Sequence, residues 1–403
     1  MNSKKKPIIL TNFGYQRKNW IYPLEAIKDE FEVVYIHYNK KSDETNCYTD
    51  STVLYFSDFD NAQDLIDKVS PNIFIVMGLN SNLIFAIKDV CNKRGIPFVY
   101  MDHGVYGLAS DYLEFEKAIK NKSIKSDVVN EDNNRTRNIS FPIKTFIKSI
   151  APFKIIAIFI KILLGRFSNK KAFQNIFQRY LAQPDAFFTY SKLNNVVNYQ
   201  IYHPKEKEIF YIGNFEYDKF KEEPNFSEES YMLLIDSPLS DNPNKDIVFS
   251  TENHILIYKK INNAAKENNL KLKIKLHPYN YNSDWIEEIE NVEFIKDYDI
   301  NSLIKNAKYC VSFYSTLLIP SLYFVPTSVL KTYEHSMISF LKVNELCFIY
   351  DIEDIENTQI EFKPILAKQN IQFIENYFNL SEKSSIDKIK AALNELLRSS
   401  ATY

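Results

Sequence analysis

Short apolar runs alternate with helical patterns through the first hundred residues. Pro7 to Thr11 reads as a buried strand, and Phe31 to His37, β-branched and aromatic, as another. Ala62 to Val69 places Leu65 and Val69 one turn apart and predicts a helix. Asn72 to Met77 predicts a strand ending at Gly78, Ser81 to Arg94 a helix stopping at Gly95, and Pro97 to Met101 a further strand. Asp185 to Tyr190 and Glu208 to Ile212 continue the series, the latter ending in Gly213-Asn214. Strands spaced by helices of this length predict βαβ units and a parallel sheet.

The second half repeats the rhythm without repeating the sequence. Strands are predicted at Tyr231 to Ile235, Lys271 to Leu276, Val292 to Ile295, Tyr309 to Phe313 and Pro326 to Leu330. Helices are predicted at Glu252 to Asn268, Trp285 to Ile289, Ile300 to Asn306, Thr316 to Tyr323 and Ser384 to Leu397. At 403 residues the chain suits two domains. The expected division is 1–215, a polar Pro-containing linker at 216–229, and 230–403.

Two stretches break the pattern. Residues 118–140 are polar, nearly free of large apolar groups, and predict a long mobile loop. Residues 141–167 are apolar, punctuated by Lys144, Lys148, Lys154, Lys161 and Arg166, and contain no acid. They fit either a basic amphipathic helix on an anionic membrane surface or a helical hairpin packed on the first domain.

Composition removes several classes. A net charge of -2 offers no basic field for nucleic acid. Cys47, Cys91, Cys310 and Cys347 are scattered and form no CxxC or Cys/His pairing, as expected of reduced thiols in the cytoplasm. The basic start at Lys4-Lys5-Lys6 is followed by too short an apolar run for a signal peptide, and no run of 18 uncharged apolar residues predicts a membrane span. A Walker A loop and a GxGxxG are both absent. His37, His203, His254 and His335 show no metal-ligand spacing, so no metal is expected.

Ligands of parallel α/β sheets bind beyond the carboxyl ends of strands. In the second half those points are Asp236-Ser237-Pro238-Leu239-Ser240, then Lys275-Leu276-His277-Pro278, then Ser315-Thr316 opening a helix, then Lys331 to Glu334. A Ser-Thr pair alone is an ordinary helix cap and a lone His an ordinary hydrogen bonder. Together, Ser237, Ser240, Lys275, His277, Pro278, Ser315, Thr316 and Glu334 predict a nucleotide-sugar pocket. In the first half Asp102-His103-Gly104-Val105-Tyr106-Gly107 stands out. His103 titrates near neutrality and fits a general base, with Asp102 to orient or tune it. Gly14, Tyr15, Arg17, Asn80, Gly104 and Tyr106 are expected on acceptor-side loops.

These motifs resemble those of the bacterial sialyltransferase and polysialyltransferase group of surface-glycan enzymes. Asp102-His103-Gly104 stands where that group has an acidic-acidic-Gly motif, followed in order by His277-Pro278 and Ser315-Thr316. The resemblance implies a GT-B fold, two Rossmann-like domains facing a central cleft, with an acceptor-side first domain and a nucleotide-binding second domain. It further implies an inverting, metal-independent glycosyltransferase that moves a sialic-acid-type nonulosonic acid from a CMP-sugar to a glycan or glycolipid acceptor of capsule, lipooligosaccharide or O-antigen. His103 departs from the acidic middle position and is closer to the His-Gly motif of CDP-glycerol-type polyol-phosphate transferases. Tyr211 to Asp218 is similar to the Gly-Asn-Pro-x-x-Asp linker of that wider set, with Phe215 in place of Pro. A CDP- or UDP-linked donor, an epimerase, and a non-catalytic glycan-binding protein therefore stand as alternatives. A cytoplasmic enzyme, peripheral at the inner membrane through 141–167, is the expected setting.

Overall fold

The computed structural model describes residues 5–13, 18–37, 51–79, 81–102, 132–164, 182–237, 251–277, 280–282, 286, 289, 292–296, 298–313, 315–332, 338, 341–342, 345–357, 359–363 and 383–400. The chain forms two compact units. The first draws on residues 1–103, 126–215 and 382–403, the second chiefly on 216–381.

The first unit is built on seven parallel strands, β1 (Ile8–Thr11), β2 (Glu32–His37), β3 (Thr52–Tyr55), β4 (Ile73–Val76), β5 (Phe98–Met101), β6 (Ala186–Thr189) and β7 (Ile209–Tyr211). Their order is β3-β2-β1-β4-β5-β6-β7. β1, β4, β5 and β6 are buried at every residue, which explains their unbroken apolar runs: a parallel sheet is covered on both faces. β3 sits at the edge and is only half-buried, although Val53-Leu54-Tyr55-Phe56 is an apolar run.

Helices α1 (Lys18–Glu25), α2 (Ala62–Val69) and α3 (Asn82–Lys93) follow β1, β3 and β4. Asn61 caps α2 by accepting from the Gln63 and Asp64 N–H groups, and Ser81 caps α3 by accepting from Leu83.

α4 (Asp132–Lys148) and α5 (Pro152–Leu164) form a hairpin. The loop expected at 118–140 is thus helical from Asp132 onward. Once Phe141 to Lys148 is anchored, each further residue closes one hydrogen bond, and polar composition is no bar to extending the helix. The remainder of that stretch lies outside the described residues. The hairpin is tied down by polar groups: buried Thr145 donates to the Phe141 carbonyl and accepts from the Ala62 N–H at the start of α2, 2.9 Å each. Lys144 pairs with Asp60 at 2.6 Å, Lys148 with Asp64 at 2.7 Å, and Lys154 with Asp89 at 2.5 Å.

α6 (Val196–Tyr202) follows β6. The second unit holds β8 (Tyr231–Ile235), β9 (Lys271–Lys275), β10 (Val292–Ile295), β11 (Tyr309–Ser312), β12 (Thr327–Lys331) and β13 (Phe348–Asp351), all parallel, in the order β10-β9-β8-β11-β12-β13. α7 (Thr251–Glu267), α8 (Ile300–Lys305) and α9 (Leu318–Phe324) accompany it. Met232, Leu234, Tyr258, Ile261, Leu272, Ile274 and Val311 are core residues between α7 and the sheet. The helix expected at Trp285 to Ile289 lies largely outside the described residues.

The strand order reverses between β8 and β11, and in open α/β sheets ligands bind beyond the strand ends at such a reversal. The last helix, α10 (Ser385–Ser400), corrects one expected boundary. It belongs to the first unit and not with 230–403. Ile389 and Leu393 are fully buried, and Lys390 pairs with Asp29 at 2.6 Å and Glu30 at 3.1 Å.

Candidate functional site

In the second unit the polar groups beyond the strand ends converge on Asp236, the first residue after β8. Its carboxylate is buried. Oδ2 accepts from the His277 backbone N–H and the Asn280 side-chain amide, both at 2.8 Å. Oδ1 accepts from the Tyr258 hydroxyl of α7, and His254 Nε2, one turn earlier on α7, is 3.5 Å away. The His254 ring meets Tyr258 edge-on with centroids 4.5 Å apart. The His277 carbonyl in turn accepts from the Asn280 N–H at 2.8 Å. That closes a four-residue turn, and Pro278 occupies the sequence position where its fixed φ favours turning. Asp236 therefore holds both ends of the turn after β9 from below, and His277 is half-buried at its start.

Lys275, the last residue of β9, is buried with its ammonium 5.4 Å from the Tyr298 ring centroid. Burial lowers its pKa, Asp236 opposes the shift, and Lys219 adds to it. An anion near Lys275 would restore the charged form. Ser237 is half-buried, and its carbonyl accepts from Asn280 at 3.3 Å. Beyond β11, the Ser315 hydroxyl accepts from the Leu317 N–H at 3.3 Å, and the Thr316 carbonyl accepts from the buried Tyr217 hydroxyl at 2.5 Å. The helix expected from Thr316 opens at Leu318, because Ser315 to Leu317 form a preceding turn. Asp236, Lys275, His277 and Ser315 thus stand after β8, β9 and β11, on both sides of the strand-order reversal. Ser240, Pro278 and Glu334 lie outside the described residues.

In the first unit Asp102 follows β5 and is fully buried. Its Oδ2 accepts from the Thr189 hydroxyl at 2.6 Å, the Asn194 amide at 2.5 Å and the Tyr190 N–H at 3.3 Å. Asp102 thereby joins the end of β5 to the loop after β6. Burial pushes its pKa up to about 6 against those hydrogen bonds. His103, Gly14, Tyr15, Arg17, Asn80, Gly104 and Tyr106 lie outside the described residues.

That shift has a measurable sign. An unperturbed Asp carboxyl ionises at 3.8 and burial pushes the folded one up to about 6, so between these values the folded protein keeps a proton that the unfolded chain releases. Stability from this group is full below the lower value and falls as pH rises through the window. Asp102→Asn removes the titration. Urea melts across that window should show wild type losing about 3 kcal/mol relative to the variant with rising pH. A difference that stays constant with pH would contradict the raised carboxyl.

The sequence pointed to the segment opening at Asp236 but not to this residue as its hub, and it set His254 aside. The signal was present in part: an Asp directly after an all-apolar strand, with His254 and Tyr258 four residues apart on the facing helix. Tyr217 was legible only as part of the linker similarity.

No family model matches the chain, and no curated protein matches it. Among solved structures it is similar to a wall teichoic acid polymerase, with 9% identity over 99% of this chain and 90% of that one, at a TM-score of 0.51. It is likewise similar to a spinosyn forosaminyltransferase, with 12% identity over 98% and 100% of the two chains, at a TM-score of 0.50. At such identities the likeness shows the fold alone: two parallel α/β units of the GT-B kind.

Proposed function

We propose that the protein is an inverting glycosyltransferase whose nucleotide-activated donor sits beyond β8, β9 and β11 of the second unit. The observation that carries this reading is the Asp236-braced turn at His277, set beside buried Lys275 at the reversal of strand order. Lys275 and His277 would hold the donor phosphate, and Ser237, Ser240, Pro278, Ser315, Thr316 and Glu334 would complete the pocket. The acceptor hydroxyl attacks the anomeric carbon, its proton passes to His103, and the nucleotide leaves with the bonding electron pair on its phosphate oxygen. Fixed donors aimed at that oxygen can each contribute about 100- to 1,000-fold in rate.

The donor is a CMP-linked nonulosonic acid, on the order of the motifs Asp102-His103-Gly104, His277-Pro278 and Ser315-Thr316. A second reading, a CDP-linked polyol-phosphate donor, draws on His103 in place of an acid. A thermal-shift screen separates them. CMP should raise the melting temperature of the full chain, as a ligand binding only the folded state must. Stabilisation by CDP or UDP without CMP would sink the CMP reading. Polyol-phosphate transfer from a CDP-linked donor also releases CMP, so the second reading is favoured by stabilisation with the CDP-linked polyol and none with a CMP-linked nonulosonic acid. If no nucleotide stabilises the chain, the donor site itself is wrong.

A further inference from the structure

Half of the strongly exposed large apolar side chains among the described residues lie in one short stretch. Of the twelve, six are Ile147, Ile150, Phe153, Ile156, Phe159 and Ile160. The stretch runs over the end of α4, the turn, and α5. Along α5, Ala157 and Ile158 are buried, whereas Phe153, Ile156, Phe159 and Ile160 share the opposite side. A helix apolar all round is normally covered all round. This one is covered on one side.

The turn adds a second, independent observation. Ile150 sits in the left-handed region with φ 51° and is 89% exposed. A β-branched side chain is strained there, and Gly or Asn is the favoured residue. Neither packing nor backbone preference explains an isoleucine at that point. Strain and exposure together mark a residue kept for what it contacts outside the chain.

We infer that the α4–α5 hairpin docks on the surface of a lipid bilayer, with Ile150 and Phe153 leading and the exposed side of α5 lying in the interfacial layer. The charge pattern selects this occupant over a second copy or another protein. Residues 141–167 carry five bases and no acid. Lys144 and Lys148 are more than half exposed, and their partners Asp60 and Asp64 are exposed too. Such pairs are weak, so both ammonium groups can turn to lipid phosphates at little cost. The helix does not cross. Its 13 residues span about 20 Å against a hydrocarbon core of about 30 Å, and no described helix is long and apolar enough to traverse it. An apolar stripe on a short helix, next to the exposed Lys144 and Lys148 of α4, is the form that lies in the membrane plane. This inference does not depend on the donor or on the transfer reaction.

Sedimentation of the full chain with vesicles of phosphatidylcholine, alone or mixed with phosphatidylglycerol, tests it. Binding should be stronger to the mixed vesicles and should weaken with added salt. Ile150→Asn should weaken vesicle binding while leaving the melting temperature unchanged or higher, because it relieves the left-handed strain. Ile150→Asn combined with Phe153→Asp should lower partitioning by about tenfold or more. Wild-type protein that stays in the supernatant with both vesicle types overturns the inference. So do variants that bind as wild type does. A concentration-dependent dimer, abolished by the same double substitution in light scattering, would assign the face to a second copy instead.

Discussion

Asp236→Ala is expected to lower unfolding free energy by about 3–5 kcal/mol and to abolish stabilisation by nucleotide. The carboxylate accepts from the Tyr258 hydroxyl, the His277 N–H and the Asn280 amide, all within a buried site. Alanine removes an acceptor that three donors share, and an unsatisfied buried polar group costs about 1–3 kcal/mol. The turn from His277 to Asn280 then loses its anchor, and any phosphate site built on that turn loses its shape. Asp236→Asn keeps one acceptor oxygen but presents an NH2 to a neighbouring donor, so an intermediate loss is expected. Denaturant melts with and without nucleotide measure both effects. Nucleotide binding that survives Asp236→Ala would place the donor elsewhere.

His103→Ala is expected to reduce transfer by about 100- to 10,000-fold while nucleotide-induced stabilisation stays intact. A general base acts on the acceptor proton and not on donor affinity. The split between an unchanged thermal shift and a lost kcat therefore distinguishes a base from a folding defect. Full activity in this variant would remove the assignment. Loss of nucleotide binding would move His103 to the donor instead.

The βαβ architecture was legible in the sequence because parallel strands buried on both faces must be apolar throughout. Ile73 to Val76 and Tyr231 to Ile235 could hardly read otherwise. The helix at Ala62 to Val69 was legible from Leu65 and Val69 one turn apart; the caps Asn61 and Ser81 were read only from the structure. Thr52 to Tyr55 and Phe348 to Asp351 went unanticipated although both are short apolar runs at sheet edges. In the candidate site, strand-end position was enough to single out Lys275 and His277. The role of Asp236 was not legible, because it depends on contacts with His277 and Asn280, 41 and 44 residues away. Periodicity reports local fit, and a carboxylate that organises three distant donors has no local signature. The same holds for Asp102 and Asn194, 92 residues apart in sequence.

The return of α10 to the first unit bears on synthesis of the chain. Residues 385–400 leave the ribosome after all of 216–381, yet they cover buried surface beside Asp29 and Glu30. The second unit can thus finish folding while the first still waits for its final helix. That inverts the usual order in which domains mature from the amino end. A nascent chain stalled short of Ser385 would carry a finished second unit and an unsealed first one, and chaperones should hold such chains by the first unit.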